Sequence, residues 1–158
     1  MPVEIERKFL VRSDAWRDGP PGVRICQGYL TRDPARTVRV RLAGEKAFLT
    51  IKGGTAGISR QEFEYAIPPD EARALLELCL PPLVDKIRHE RSHGGHVWEV
   101  DEFLGANAGL VVAEIDLSDA EEAFDHPELL GPEVSDDPRY FNACLAERPW
   151  SEWGQSQS

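Results

Sequence analysis

Thr37-Val38-Arg39-Val40-Arg41-Leu42-Ala43 runs through Gly44-Glu45 into Lys46-Ala47-Phe48-Leu49-Thr50-Ile51-Lys52. Successive side chains on a strand point to opposite faces. Arg39 and Arg41 therefore share a face against Val38, Val40 and Leu42, and Thr50 and Lys52 share one against Leu49 and Ile51. Gly44-Glu45 between two such runs reads as the tight turn of a β-hairpin. One face of this hairpin is apolar, and the other carries mostly charge.

The same pattern extends outward in both directions. In Val3–Val11, Glu4, Glu6 and Lys8 oppose Val3, Ile5 and Phe9, with Arg7 as the exception. Arg60, Glu62 and Glu64 oppose Phe63, Tyr65 and Ile67; Lys86 and Arg88 keep the spacing; Glu99 and Asp101 oppose Trp98 and Val100; Glu114 and Asp116 oppose Val111, Ala113, Ile115 and Leu117. Turn signals divide the chain into eight expected strands, Val3–Val11, Val23–Thr31, Thr37–Ala43, Lys46–Lys52, Arg60–Ile67, Val84–Ser92, Val97–Leu104 and Leu110–Leu117. The last hairpin turn falls at His93-Gly94-Gly95-His96. Three helices are expected: Glu71–Leu80 after Pro69-Asp70 and stopped by Pro81-Pro82, Ser118–Phe124 with a serine cap, and Arg139–Ala146.

The charged face holds seven bases against eight carboxylates, so nearly all of the formal net charge of −10 lies elsewhere. Two architectures remain open on pattern alone. One is an open antiparallel sheet with a wet face. The other closes the eight strands into a barrel with the charges inside, in a lumen holding water and ions, because unpaired buried charge is too costly. Lys and Arg suit phosphoryl oxygens. Clustered carboxylates without His or Cys suit hard divalent cations such as Mg²⁺ or Mn²⁺. Together they describe a site for a metal and a polyphosphate.

Composition narrows the function classes. At 158 residues, with 41% apolar and 29% charged residues, the expectation is a single domain over residues 1–148 and a polar C-terminal tail over 149–158. The acidic balance argues against a nucleic-acid partner, and the apolar runs are far shorter than a membrane span. Cys26, Cys79 and Cys144 are widely spaced and odd in number, which suits reduced thiols and a cytoplasmic location.

With these residues in place, the chain is similar to the CYTH superfamily, the triphosphate tunnel metalloenzymes. Glu4-Ile5-Glu6-Arg7-Lys8 matches the ExExK opening of that family. Thr37–Arg41, Leu49–Lys52, Arg60–Tyr65, Lys86–Arg88, Trp98–Asp101, Ala113–Asp116 and the late segments Glu133–Ser135 and Arg139–Asn142 resemble family elements in family order. The resemblance implies a mainly β (α+β) fold: a closed eight-stranded antiparallel β-barrel with a charged lumen and a few outer or closing helices. It implies metal roles for Glu4, Glu6, Asp101, Glu114 and Asp116, with Glu62 and Glu64 as lumen carboxylates that bind metal or hold bases. It implies phosphate contacts for Lys8, Arg39, Arg41, Lys52, Lys86 and Arg88; Arg60 is expected to join them. Glu4, Glu6, Lys8 and Lys86 are the expected catalytic set, with Mg²⁺ or Mn²⁺ as cofactor. The expected reaction is metal-dependent hydrolysis of inorganic tripolyphosphate to pyrophosphate and phosphate. A class IV-type adenylate cyclase, a thiamine triphosphatase and a non-catalytic polyphosphate- or nucleotide-binding module are the alternatives. The expected assembly is a monomer or homodimer. Asp116 stands where the family commonly has Glu, and Ser135 and Phe141 where Thr and Tyr are common.

His89-Glu90-Arg91-Ser92-His93 matches HExxH, but that chemistry needs a helix to bring both rings to one face. Here the segment reads as strand, where the fourth residue on lies about 13 Å away. His96 and His126 read as surface residues, and the tryptophans as packing residues.

Overall fold

The computed structural model describes residues 3–153. Its strands are β1 (Val3–Val11), β2 (Val23–Thr31), β3 (Arg36–Ala43), β4 (Lys46–Gly53), β5 (Ser59–Ile67), β6 (Leu80–His93), β7 (His96–Phe103), β8 (Val111–Asp116) and β9 (Leu130–Glu133). They form one antiparallel sheet in the order β5-β4-β3-β2-β6-β7-β8-β1-β9, and β5 also pairs with β1. That pairing, Val3 to Gln61 through Ile5 to Ser59, closes β1–β8 into a barrel. The closed architecture is therefore the one adopted, and the open sheet is not. Closure leaves no long free edge.

The short ninth strand was not expected. It lies on the edge of β1 that β5 leaves free, with Phe9 opposite Glu133 and Val11 opposite Leu130. Leu130-Gly131-Pro132-Glu133 carries no alternation, so nothing in its pattern announces a strand.

Two hairpins follow their turn residues. Gly44 adopts φ +61°, and both Gly94 and Gly95 are in the left-handed region, at +60° and +82°. A two-residue turn of the latter kind needs positive φ at both positions, which glycine adopts without steric cost.

Inside and outside are reversed relative to an ordinary domain. Trp98, Val100, Ala113 and Ile115 point outward and pack with Phe9, Trp16, Leu117 and Leu129 beneath surface segments. Helix α1 (Pro69–Leu78) buries Ala72 and Leu76 against Val40, Ala47 and Cys79. The helix was expected to reach Leu80. Instead Leu80 opens β6, and Pro81-Pro82 falls in a register shift between the pairs Tyr29–Leu80 and Gln27–Val84. A bulge accommodates prolines that cannot donate to the ladder.

Ser118–Phe124 is not a helix. One turn forms, with Glu122 N donating to Asp119 O at 3.0 Å, and the chain then extends. Glu122 accepts from Ser118 N and Oγ, each at 2.7 Å, and lies 2.7 Å from His96 Nε2. Phe124 packs edge-on against Phe9 and Trp98. These tertiary anchors outweigh the local helical preference. They also make His96 half-buried rather than a surface residue; His126 is exposed, as expected.

The expected helix over Arg139–Ala146 is split. A 3-10 turn at Pro138–Tyr140 is followed, after an extended Phe141, by α2 (Asn142–Glu147). Tyr140, Leu145 and Ala146 are buried with Tyr29, Val84 and Phe103. Part of the expected tail over 149–158 is helical. A short helix, α3 (Trp150–Trp153), is tied down by Trp150 N donating to Asn107 Oδ1 at 2.8 Å. The rest of that tail, 154–158, lies outside the described residues.

Candidate functional site

Because side chains alternate, the barrel's inner face collects the charged set. A cavity of about 700 Å³ is lined by Glu4, Glu6 and Lys8 from β1, Arg39 and Arg41 from β3, Lys52 from β4, and Arg60, Glu62 and Glu64 from β5. Arg88 from β6, Glu99 from β7, Glu114 and Asp116 from β8, and Arg32 just past β2 also line it. Two expected site residues, Lys86 and Asp101, do not line it. Both have fully buried side chains, 2.8 Å apart, behind Arg88.

Three of the expected metal ligands converge. Carboxylate oxygens of Glu4, Glu6 and Asp116 all lie within 4.8 Å of one another. Glu6 sits directly opposite Asp116 in the β1–β8 ladder, and Glu4 follows on the same face. Burial, then the charges of Glu114 and Glu4, raise the Glu6 carboxyl well above the usual carboxylate range. Burial, then Glu4 and Glu114, raise Asp116 as well. Burial would raise Glu4 too, but Lys52, the Glu62 carboxyl and Arg60 hold it down at about 2. Crowded carboxylates of this kind gain most from a divalent cation, and an all-oxygen donor set suits a hard one. The residues present thus fit a metal.

The other expected metal ligands are each in contact with bases. Glu62 lies 3.2 Å from Lys52 and adjoins the cluster through its hydrogen bond to Glu4. Glu64 accepts from Thr50 Oγ1 at 3.1 Å and lies 3.7 Å from Arg39. Glu114 sits between Lys8 at 3.4 Å and Arg88 at 3.5 Å. Those bases outweigh burial and lower its carboxyl. Asp101 accepts from Arg88 Nε and Nη2, each at 2.8 Å. It stays ionised because Lys86 and Arg88 overcome its burial.

Among the bases, Lys52 Nζ donates to both oxygens of Glu4, at 3.0 and 2.9 Å, and Arg60 Nε donates to Glu4 Oε1 at 3.3 Å. Lys8 Nζ donates to the Tyr140 carbonyl at 3.1 Å, and Lys86 Nζ to Asn142 Oδ1 at 3.0 Å. Both lysines are thereby tied to the segment that carries Tyr140 and α2. Burial, and then the charges of Arg88 and Arg41 against the pull of Asp101, bring Lys86 down to about 7. Arg41 is brought down to about 9 by burial and by Arg39 and Arg88.

The chain's reading by charge alternation missed several residues here. Arg32, Thr37 and Tyr29 line the cavity, and Gln27 hydrogen-bonds Arg41 at 2.8 Å. All but Arg32 are neutral, so a search for charged alternation passes over them. Arg32 lies past the last paired residue of β2. Glu99 was seen on the charged face without a role. Burial and its acidic neighbours raise it to about 7, against the opposing pull of Arg88. The HExxH residues lie along β6, and His89 packs on Trp16 with ring centroids 4.9 Å apart.

A closed antiparallel barrel with its apolar side outward, and with acids and bases facing one another across a central cavity, defines a charged-tunnel β-barrel. The chain belongs to the CYTH domain family, which it matches over residues 2–141. It is 48% identical over 148 residues to a protein of Acetivibrio thermocellus named inorganic triphosphatase, covering 93% of this chain and 95% of that one. It is 37% identical over 149 residues to the inorganic triphosphatase of Nitrosomonas europaea, covering 90% and 96%. A crystal structure of an inorganic triphosphatase superposes with a TM-score of 0.66 at 35% identity, covering 92% of this chain and 95% of that one.

Proposed function

We propose that this chain is a divalent-cation-dependent triphosphatase that hydrolyses inorganic tripolyphosphate to pyrophosphate and phosphate. The observation that carries the reading is the joint presence, in one 700 Å³ cavity, of a row of bases and a cluster of three carboxylates. A pure anion carrier has no use for the acids, and a pure cation site has no use for the bases. The kinship with two proteins named inorganic triphosphatase supports the choice of substrate.

In this reading Lys8, Arg39, Arg41, Lys52, Arg60 and Arg88 bind and orient the phosphoryl oxygens. Glu4, Glu6 and Asp116 would hold Mg²⁺ or Mn²⁺, which when bound polarises phosphoryl oxygens and makes water a better nucleophile. A water oxygen bonds to the terminal phosphorus and yields its proton to solvent, the bridging P–O bond breaks, and pyrophosphate leaves. The lumen bases neutralise the charge that develops on the leaving oxygen. The barrel wall keeps these charges in a low dielectric, where fixed groups stabilise the transition state more than water does. Lys86 is buried against Asp101 and Asn142, and is given a positioning role behind Arg88 rather than a contact with substrate.

The test is to incubate the protein with tripolyphosphate, ATP or thiamine triphosphate, each with Mg²⁺ or Mn²⁺, and to follow phosphate, pyrophosphate and cyclic AMP. Phosphate released from tripolyphosphate, and lost in a Glu4→Gln/Glu6→Gln variant, is the expected result. Cyclic AMP from ATP would move the chain to the cyclases. Binding of every substrate without turnover would make it a binding barrel.

A further inference from the structure

Of the eight barrel strands, β2 places no charge on the lumen side; its inward positions are Ile25, Gln27 and Tyr29. Gln27 is fully buried. It sits directly opposite Arg41 in the β2–β3 ladder, and its Oε1 accepts from Arg41 Nε at 2.8 Å. The positions two residues to either side of it face two more cations: Ile25 pairs with Lys86, and Tyr29 with Arg39. A neutral amide thus stands among three positive charges. Its own Nε2 has no partner among the described residues, so Arg41 alone fixes which way the amide points. A reversed amide would set two N–H donors against each other.

Arg41 differs from the other expected lumen bases. Lys8, Arg39, Lys52, Arg60, Lys86 and Arg88 each lie within 4.0 Å of a carboxylate. Among the described residues Arg41 has no carboxylate that close, although it lines the cavity. Arg41 is half-buried, and holding an arginine there without a counter-ion is costly. The cost is tolerable where an anion takes the open place.

We infer that Gln27 is a positioning residue for the proposed reaction. It aims the Arg41 guanidinium into the tunnel through Nε while leaving its charge uncancelled and both terminal nitrogens free for the triphosphate. A carboxylate at position 27 would hold Arg41 as firmly but would compete with the substrate for it. This inference rests on the proposed triphosphatase reading.

The experiment measures KM and kcat for tripolyphosphate with Mg²⁺, and the dissociation constant of tripolyphosphate without divalent cation by calorimetry. The chains compared are wild type, Gln27→Glu, Gln27→Leu, Arg41→Ala and Gln27→Leu/Arg41→Ala. Both single changes at position 27 are expected to raise KM and the dissociation constant about 10- to 100-fold, the range of one hydrogen bond to a charged group, with much less effect on kcat. Gln27→Leu is expected to add nothing to Arg41→Ala. Wild-type affinity in Gln27→Glu, or an equal further loss in the Arg41→Ala background, overturns the inference. If Gln27→Leu does not fold, the isosteric Gln27→Glu decides alone. A Gln27→Glu chain that cannot fold also overturns the inference, since an ion pair must be tolerated there. Failure of the wild-type chain to bind or hydrolyse tripolyphosphate overturns the functional reading itself, and that outcome is distinct from a wild type that works beside a Gln27→Glu variant that works equally well.

Discussion

Asp101 has no exposed side-chain surface, and every polar contact it makes is to a base: Lys86 on one side and Arg88 in a two-point grip on the other. Removing one partner from a buried ion pair leaves an uncompensated charge and costs about 3–5 kcal/mol. Asp101→Asn is therefore expected to lower the unfolding free energy of the metal-free protein, read from urea titration, by an amount in that range, with an unchanged slope. If Asp101 were instead a metal ligand, the metal-free protein would keep its stability and lose only its response to cation. The sequence placed Asp101 and Lys86 on the right face of the right strands. It could not say that this pair packs into the wall while its neighbours, Glu99 and Arg88, reach the cavity. Periodicity gives a side chain's direction; its depth depends on how closely the neighbouring strands crowd it.

At the scale of elements, the same limit separates the strands that were legible from those that were not. The barrel strands, six to fourteen residues long, carry alternation or a hairpin glycine pair, and were found to within a few residues. β9 and the segment around Ser118–Phe124 owe their conformations to contacts distant in sequence. Arg7, the one charge out of place on β1, is explained by β9. It points outward, donates from Nε to Glu133 at 2.8 Å, and lies over the Phe124 ring at 4.9 Å. The hydrogen bond from Arg7 holds the Glu133 carboxyl below its usual value against the effect of burial, with Ser135 helping. A lowered native value means the carboxylate stabilises the fold fully above the unfolded glutamate's range, near pH 4.3. That contribution is lost as pH falls through the lowered native value. Thermal melts should show wild type more stable than Glu133→Gln at pH 7, with the gap closing as the solution is acidified below about pH 4. A gap that stayed constant with pH would mean that the carboxylate charge is not what fastens β9 to β1.

Over the whole molecule, the charge is divided between two compartments. The seven bases and eight carboxylates of the expected inner face nearly cancel, while the chain as a whole carries −10. The excess negative charge lies outside the barrel wall, where solvent and salt screen it. Inside, the balance is uneven in space: Glu4, Glu6 and Asp116 crowd together, and Glu6 and Asp116 are held protonated more readily than free carboxyls. Two apolar clusters lie between the barrel wall and its covering segments, and a third gathers the inward-facing Tyr29, Val84 and Phe103 against α2, so the fold has apolar cores that need no metal. The protein should stay folded in a chelator and melt higher when Mg²⁺ or Mn²⁺ is added. A ligand that binds only the native state at about a hundredfold over its dissociation constant adds ~2.7 kcal/mol. For a chain of this length that is roughly 5–10 °C in Tm. Glu6→Gln and Asp116→Asn should each melt at or above the wild-type temperature in chelator, because each removes like-charge crowding, and each should lose most of the cation-induced rise. A variant that kept the full rise would place the cation elsewhere in the tunnel. A variant that melted lower in chelator would mean that its carboxylate supports the barrel through its neighbours and not through the ion it holds.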